Sequence, residues 1–172
     1  MKWIVPVAGA VIAAIGFQKK ADAAPQGENK TKYKNWFVYD ASFRREASKF
    51  GIDWRWLKAI AIVESTLGSN SRVVAGGVSE DGKSYGLMQF TLPTANDLRP
   101  GTTPADLNDP EISIALAARY VSQLSKQFGG DQMKTIMSYN QGPGNTAKGK
   151  TYALGYYEKW KTAFAYIKEQ GQ

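Results

Sequence analysis

Apolar residues recur at helical spacing over most of the chain. Trp36, Tyr39, Phe43, Ala47 and Phe50 stand three or four residues apart, the signature of one buried helix face, and Gly51 is placed to stop that helix. Asp53 is an N-cap candidate for a second helix, apolar from residue 54 to 63 except for Arg55 and Lys58 and ending on Glu64. Residues 93–98 suggest a short helix. Asp109-Pro110-Glu111 joins a cap, a proline at the first helical position and an acid at the positive helix end, predicting a helix to about Phe128, where Gly129-Gly130 end it. Asp131 can cap the next, with Met133, Ile136, Met137 and Asn140 on one inward face. Tyr157, Trp160, Phe164 and Ile167 mark a last amphipathic helix, with Lys159, Lys161 and Lys168 off the stripe. The exception is 66–83, rich in Gly and Ser, where Asp81-Gly82 is a turn signal between Val78 and Tyr85. The pattern predicts a mainly α single domain with a small β-hairpin.

Outside these helices the N-terminal third divides in two. Lys2 precedes an apolar run over 3–17, and Ala21-Asp22-Ala23 offers a small-residue cleavage site, so residues 1–23 read as a signal peptide or a membrane anchor. The run would span about 22 Å as a helix, short of the roughly 30 Å hydrocarbon core, which favours the signal peptide. Lys19 and Lys20 suit an uncleaved anchor, and either implies export to the cell envelope. Residues 24–35 are polar and without periodicity and read as a linker. The domain is then 36–172.

Composition removes much chemistry. With 172 residues, 43% of them hydrophobic, one domain with a real core is the expectation. The chain has neither histidine nor cysteine, which excludes Ser-His-Asp triads, Cys-His dyads and His- or Cys-based zinc sites. No cofactor or metal is implied. The net charge of +7 would fall to +5 without residues 1–23, where Lys2, Lys19 and Lys20 stand against Asp22. A basic surface fits nucleic acid, anionic lipid or an acidic polymer; export and the carboxylate chemistry below point to the last, with no nucleic acid.

Glu64 shares a stripe with Leu57, Ile60 and Ala61, so its carboxyl should face protein. Desolvation raises a carboxyl's pKa and lets it donate a proton near neutral pH, the property a glycosidic general acid needs. Ser65 beside it could contact a ligand or bond the helix backbone. In Gly86-Leu87-Met88-Gln89 the glycine permits close backbone approach, the apolar pair could line a groove or enter the core, and the glutamine offers a donor and an acceptor. Tyr139 could hold the Glu64 carboxyl, contact a sugar, or fill the core with its hydroxyl on a backbone group. Asn140, ahead of Gly142-Pro143-Gly144, could serve ligand or loop, and Tyr156 and Tyr157 could reach the same cleft.

Glu64-Ser65, Gly86-Leu87-Met88-Gln89 and Ser138-Tyr139-Asn140 with its Gly142-Pro143-Gly144 tail, in that order, resemble the soluble-type, lysozyme-like lytic transglycosylases. Their motifs read Glu-Ser, Gly-Leu-Met-Gln and Ala-Tyr-Asn, and Ser138 departs from the third. The resemblance implies a lysozyme-like α+β fold with the hairpin beside a cleft, and Glu64 as the catalytic acid. It implies peptidoglycan glycan strands as substrate, held by Ser65, Gly86, Leu87, Met88, Gln89, Tyr139 and Asn140. One of Ser71, Ser79 and Ser84 in the loop should also touch it. The implied reaction cleaves the link from N-acetylmuramic acid to N-acetylglucosamine, with the muramyl C6 hydroxyl as nucleophile. This agrees with the lack of a second acid in a comparably apolar setting, since Glu80 and Asp81 lie in a polar turn. Rivals are a goose-type lysozyme using water and a catalytically silent glycan-binding or structural protein. The resemblance extends to wall-opening components of secretion systems and phage virions, which are further partner and location expectations.

Overall fold

A computed structural model describes residues 32–70 and 82–172. The expected signal peptide or anchor over 1–23, most of the linker, and Ser71, Val78, Ser79, Glu80 and Asp81 lie outside the described residues. The described chain forms α1 (Asp40–Phe50), α2 (Trp54–Ser65), β1 (Ser84–Tyr85), β2 (Phe90–Thr91), α3 (Leu92–Leu98), α4 (Pro104–Asn108), α5 (Pro110–Gln127), α6 (Gln132–Gln141), α7 (Pro143–Ala147) and α8 (Leu154–Glu169).

The helix α2 is the axis of the fold. Leu57, Lys58, Ala59, Ile60, Ala61, Ile62 and Ser65 are all buried, so it is enclosed nearly all round, as an almost wholly apolar helix must be. It packs against α1, α5 and α8, and α6 lies between α5 and α8. Asp53 caps it by accepting from the Arg55 amide at 3.0 Å, and Gly51, in the left-handed region at φ 65°, ends α1 as its position suggested. Asp109 and Asp131 cap α5 and α6 in the same way.

Three boundaries differ from the sequence expectation. First, α1 begins at Asp40, and Trp36 precedes it as a core residue stacked 5.8 Å from Tyr33 and meeting Tyr166 edge-on at 5.3 Å. Residues 32–35 therefore belong to the packed body where a linker was expected: Tyr33 lies against the core, and the Asn35 amide donates to the Leu67 carbonyl at 2.9 Å. Second, the described hairpin lies beyond the expected Asp81-Gly82 turn, whose Val78 and Asp81 are outside the described residues. Its pairs are Ser84 with Thr91 and Tyr85 with Phe90, so the turn is Gly86-Leu87-Met88-Gln89 itself, closed by the Gln89 amide on the Gly86 carbonyl at 3.2 Å. Third, Pro143 begins the short helix α7 where a loop was expected.

The exit from α2 is strained. Thr66 and Leu67 both have positive φ, 55° and 54°, costing about 1 kcal/mol or more each for residues with a Cβ. Burial of Leu67 and two hydrogen bonds, Asn35 on the Leu67 carbonyl and the Gly68 amide on Ser65 Oγ at 3.0 Å, hold the turn. It stops α2 one residue beyond Glu64.

Candidate active site

Glu64 sits in the last turn of α2 and opens onto a cavity of about 390 Å³. Ser84, Gln89, Phe90, Thr91 and Thr94 wall one side, from the hairpin and α3. Tyr120 of α5 and Tyr139, Asn140, Gln141 and Gly142 at the end of α6 wall the other. Among the described residues, every lining residue except Glu64 is uncharged. The result is a trough of hydroxyls, amides and ring faces around one carboxyl, with the chemical inventory to bind a polyhydroxylated ligand.

The residue as a whole is half-buried, but its carboxyl is enclosed by protein except toward the cavity. Burial pushes Glu64 up to about 7, against the opposing effect of a hydrogen bond donated by the Tyr156 hydroxyl to Oε1 at 2.7 Å. Desolvation wins because one neutral donor cannot replace the lost water and no cation pairs with the carboxyl among the described residues. Tyr139 and Tyr156 are themselves raised well above the usual phenol range, first by burial and then by the nearby Glu64 charge. They stay neutral donors.

The turn 86–89 brings Gln89 onto the cavity. Gly86 has φ 73°, and a Cβ there would lie 1.7 Å from the Leu107 carbonyl oxygen, so only glycine lets the hairpin seat on α4. Gln89 has φ 50° and its amide folds back to donate to the Gly86 carbonyl at 2.9 Å, which braces the turn while the residue still lines the cavity. Tyr139 donates to the Met88 carbonyl at 2.8 Å and packs with Phe90 and Tyr120 at centroid distances of 5.8 and 5.6 Å. Its hydroxyl thus binds backbone, its ring faces the cavity, and Tyr156 rather than Tyr139 holds the carboxyl.

The structure brings Glu64, Gln89, Tyr139 and Asn140 onto one cavity, together with Ser84, the one of the three candidate loop serines among the described residues. Ser65, Leu87 and Met88 do not line it. Ser65 is buried, with its hydroxyl donating to the Ala61 carbonyl at 3.1 Å. Leu87 and Met88 are core residues, because in a tight turn seated on α4 the apolar pair points into the protein. Gly86 acts through its backbone. Asn140 is exposed on the cavity rim, not inward as the Met133 stripe suggested, because Thr135, Ile136, Met137 and Ser138 are the buried face of α6 and Met133 is itself exposed.

Tyr156, offered by the sequence as able to reach the cleft, holds the carboxyl, and Phe90, Tyr120, Thr91, Thr94 and Gln141 complete the site without having been assigned to it. A signal for Tyr156 existed. The buried stripe of α8 is Trp160, Ala163 and Ile167, and Tyr156 extends it at i−4, whereas Tyr157 and Phe164 flank it. Counting alanine as a core residue would have placed Tyr156 inward.

The model of the transglycosylase SLT domain matches residues 41–162, the span that holds α2, the hairpin, α6 and Tyr156. The chain belongs to this family. Among curated proteins it is 33% identical over 137 residues to the peptidoglycan transglycosylase gp16 of Escherichia phage T7 and 30% identical over 113 residues to the soluble lytic murein transglycosylase of Escherichia coli K12. These alignments cover 78% and 62% of this chain but 10% and 16% of those proteins. It thus matches a small part of much longer relatives. Among solved structures, the lytic transglycosylase Slt of Pseudomonas aeruginosa superposes with a TM-score of 0.56 at 28% identity, covering 67% of this chain and 18% of that one. The 70 kDa soluble lytic transglycosylase of Escherichia coli gives the same score and identity over 75% of this chain and 22% of its own. The SLT-type helical fold with its small sheet is common to these proteins.

Proposed function

We propose that this SLT-domain protein is a peptidoglycan lytic transglycosylase that cleaves the β-1,4 link from N-acetylmuramic acid to N-acetylglucosamine, with Glu64 as general acid and then base. The observation that carries the proposal is a carboxyl held near pKa 7 on a sugar-sized polar cavity, the one charged group lining it among the described residues. Family membership and the names of the relatives support the substrate class.

In this reading protonated Glu64 gives its proton to the bridging oxygen as the bond to the muramyl anomeric carbon breaks. The resulting carboxylate takes the proton of the muramyl C6 hydroxyl, and that oxygen bonds to the anomeric carbon. Products are a free 4-hydroxyl on N-acetylglucosamine and a 1,6-anhydromuramyl end; no water is consumed and Glu64 ends protonated. Tyr156 orients the carboxyl and stabilises its charged interval, while Gln89, Tyr139, Asn140 and Ser84 hold the sugars. Gly86, Leu87, Met88 and Ser65 act from beneath, by fixing the turn and the end of α2. Because the proposed substrate lies outside the cytoplasm, residues 1–23 would serve export, which N-terminal sequencing of protein recovered from the envelope checks.

The reaction is tested by mass spectrometry of borohydride-treated wall digests. Unreducible anhydromuramyl ends are the expected product. Reducible ends, heavier by one water before reduction and by two further hydrogens after it, would make the protein a lysozyme with Glu64 still the acid.

A further inference from the structure

The segment after α7, residues 148–153, forms a strap along one end of the cavity. Its attachment is specific. Gln141, which lines the cavity, donates through Nε2 to the Lys150 carbonyl at 2.8 Å and to Thr146 Oγ1 at 2.9 Å, and accepts through Oε1 from the Ala153 amide at 2.7 Å. One side-chain amide thus uses both ends to pin the strap, and buried Ala153 seats its far end.

What the pinned strap displays is not explained by packing. Tyr152 is 72% exposed and is the most exposed large hydrophobic side chain among the described residues, with Leu154 beside it at 42%. Lys148 and Lys150 are exposed, and neither pairs with a carboxylate among the described residues. From residue 132 to residue 157 the sequence contains no acid at all, so the strap is locally cationic beside a cavity whose one charge among the described residues is Glu64. An exposed aromatic face beside a binding cavity is a stacking surface for the apolar face of a ring, and rigid anchoring removes much of the ordering cost of binding.

We propose that the strap is a second substrate-binding element: Tyr152 stacks on a sugar ring beyond the cavity, and Lys148 and Lys150 engage carboxylates carried by the glycan strand. The proposal rests on the glycan-cleaving reading of the Glu64 cavity and extends it from a neutral trough to a site that distinguishes an acidic polymer from a neutral one. The chemistry recognised is an N-acetylated glycan bearing regularly spaced carboxylates.

Binding in a Glu64→Gln background, where ligand survives, tests it. The probes are soluble peptidoglycan strands and neutral N-acetylglucosamine oligomers. Lys148→Ala with Lys150→Ala should weaken binding of the carboxylate-bearing strands about two- to fivefold, the range of exposed ion pairs, and leave the neutral oligomers unchanged. That difference should vanish near about 1 M salt, where the Debye length is about 3 Å. Tyr152→Ala should weaken both ligands several-fold. Unchanged binding of both probes by both variants, with circular dichroism confirming the fold, would overturn the strap. Turnover by the unmutated chain is read separately, so a protein that binds through the strap but does not cleave would refute the proposed function and leave this inference standing.

Discussion

Two ionisable side chains on the same helix receive opposite treatment. Lys58, in the middle of α2, is completely buried, yet its ammonium donates to Asp40 at 2.7 Å and to Gln172 at 2.5 Å and lies 3.8 Å from the centre of the Trp36 ring. Glu64, six residues on, has one neutral donor, Tyr156, and a cavity in front of it. Burial moves both toward neutrality, Lys58 down to about 8 and Glu64 up to about 7. A perturbed pKa therefore does not by itself mark a functional group. What separates them is whether the polar atoms are spoken for: the lysine is enclosed among fixed partners, and the carboxyl is left with an open side that a ligand can fill.

The largest expected effect breaks the pair apart by turnover. Glu64→Gln keeps the side chain's shape and removes the proton, so wall cleavage should fall by about two to four orders of magnitude with the fold intact. Lys58→Met should leave the turnover of folded protein unchanged. A turbidity assay on purified walls with both variants decides it, and substantial activity in well-folded Glu64→Gln would remove the general-acid reading. Tyr156→Phe deletes the donor that favours the ionised carboxyl. Its alkaline limb of kcat/KM, set by ionisation of Glu64 near pH 7, should move to higher pH. Tyr139 and, beyond it, Tyr120 are the other titratable groups on that side, and both are raised phenols that remain neutral over this range.

The same pair gives opposite signs in stability. Glu64's folded pKa, about 7, lies above its unfolded value of 4.5, so the folded state binds more protons between those values and stability is lost as pH rises from 4.5 to 7. The cost at and above pH 7 is at most about 3 kcal/mol, from 1.36 kcal/mol per pKa unit. Lys58's folded pKa, about 8, lies below its unfolded 10.5. The unfolded state then binds more protons between those values, and stability is regained as pH rises from 8 to 10.5, again by up to about 3 kcal/mol. Urea titrations across pH check this as differences from wild type. Glu64→Gln should gain stability over 4.5 to 7 and hold the gain above it, while Lys58→Met should lose the 8 to 10.5 rise. A difference curve flat from pH 4.5 to 7 for Glu64→Gln would show that its carboxyl is not desolvated.

The contrast also explains which parts of the site were legible in the sequence. Helix existence, the caps Asp53, Asp109 and Asp131, and the inward position of Glu64 follow from local chemistry, which a periodic sequence displays. Residues whose orientation depends on tertiary contact were not legible. The seating of the 86–89 turn depends on Gly86 lying against the Leu107 carbonyl of α4, a long-range contact that no local pattern displays. Leu87 and Met88 entered the core and Asn140 turned outward for similar reasons: a motif names which residues gather at a site, while register and seating decide which side of the wall each occupies. Tyr156 was offered for the cleft together with Tyr157, and the buried Ala163 separates the two by extending the inward stripe back to Tyr156.

A third buried polar group supplies the smallest and cleanest test. Ser138 is fully buried on α6, one residue before Tyr139, and its hydroxyl has no hydrogen-bond partner among the described residues. It has neither the satisfied partners of Lys58 nor the open face of Glu64, and it occupies the position where the motif of the resembling enzymes carries alanine. An unpartnered buried hydroxyl forfeits its hydration with nothing in return, so Ser138→Ala should raise stability by about 1 kcal/mol in urea unfolding without changing turnover. Alanine's better helix propensity acts in the same direction. If Ser138→Ala destabilised the protein instead, the hydroxyl would have to bond a group such as ordered water. Ser138 would then join Lys58 as a satisfied polar residue, and the distinction drawn here would rest on Glu64 alone.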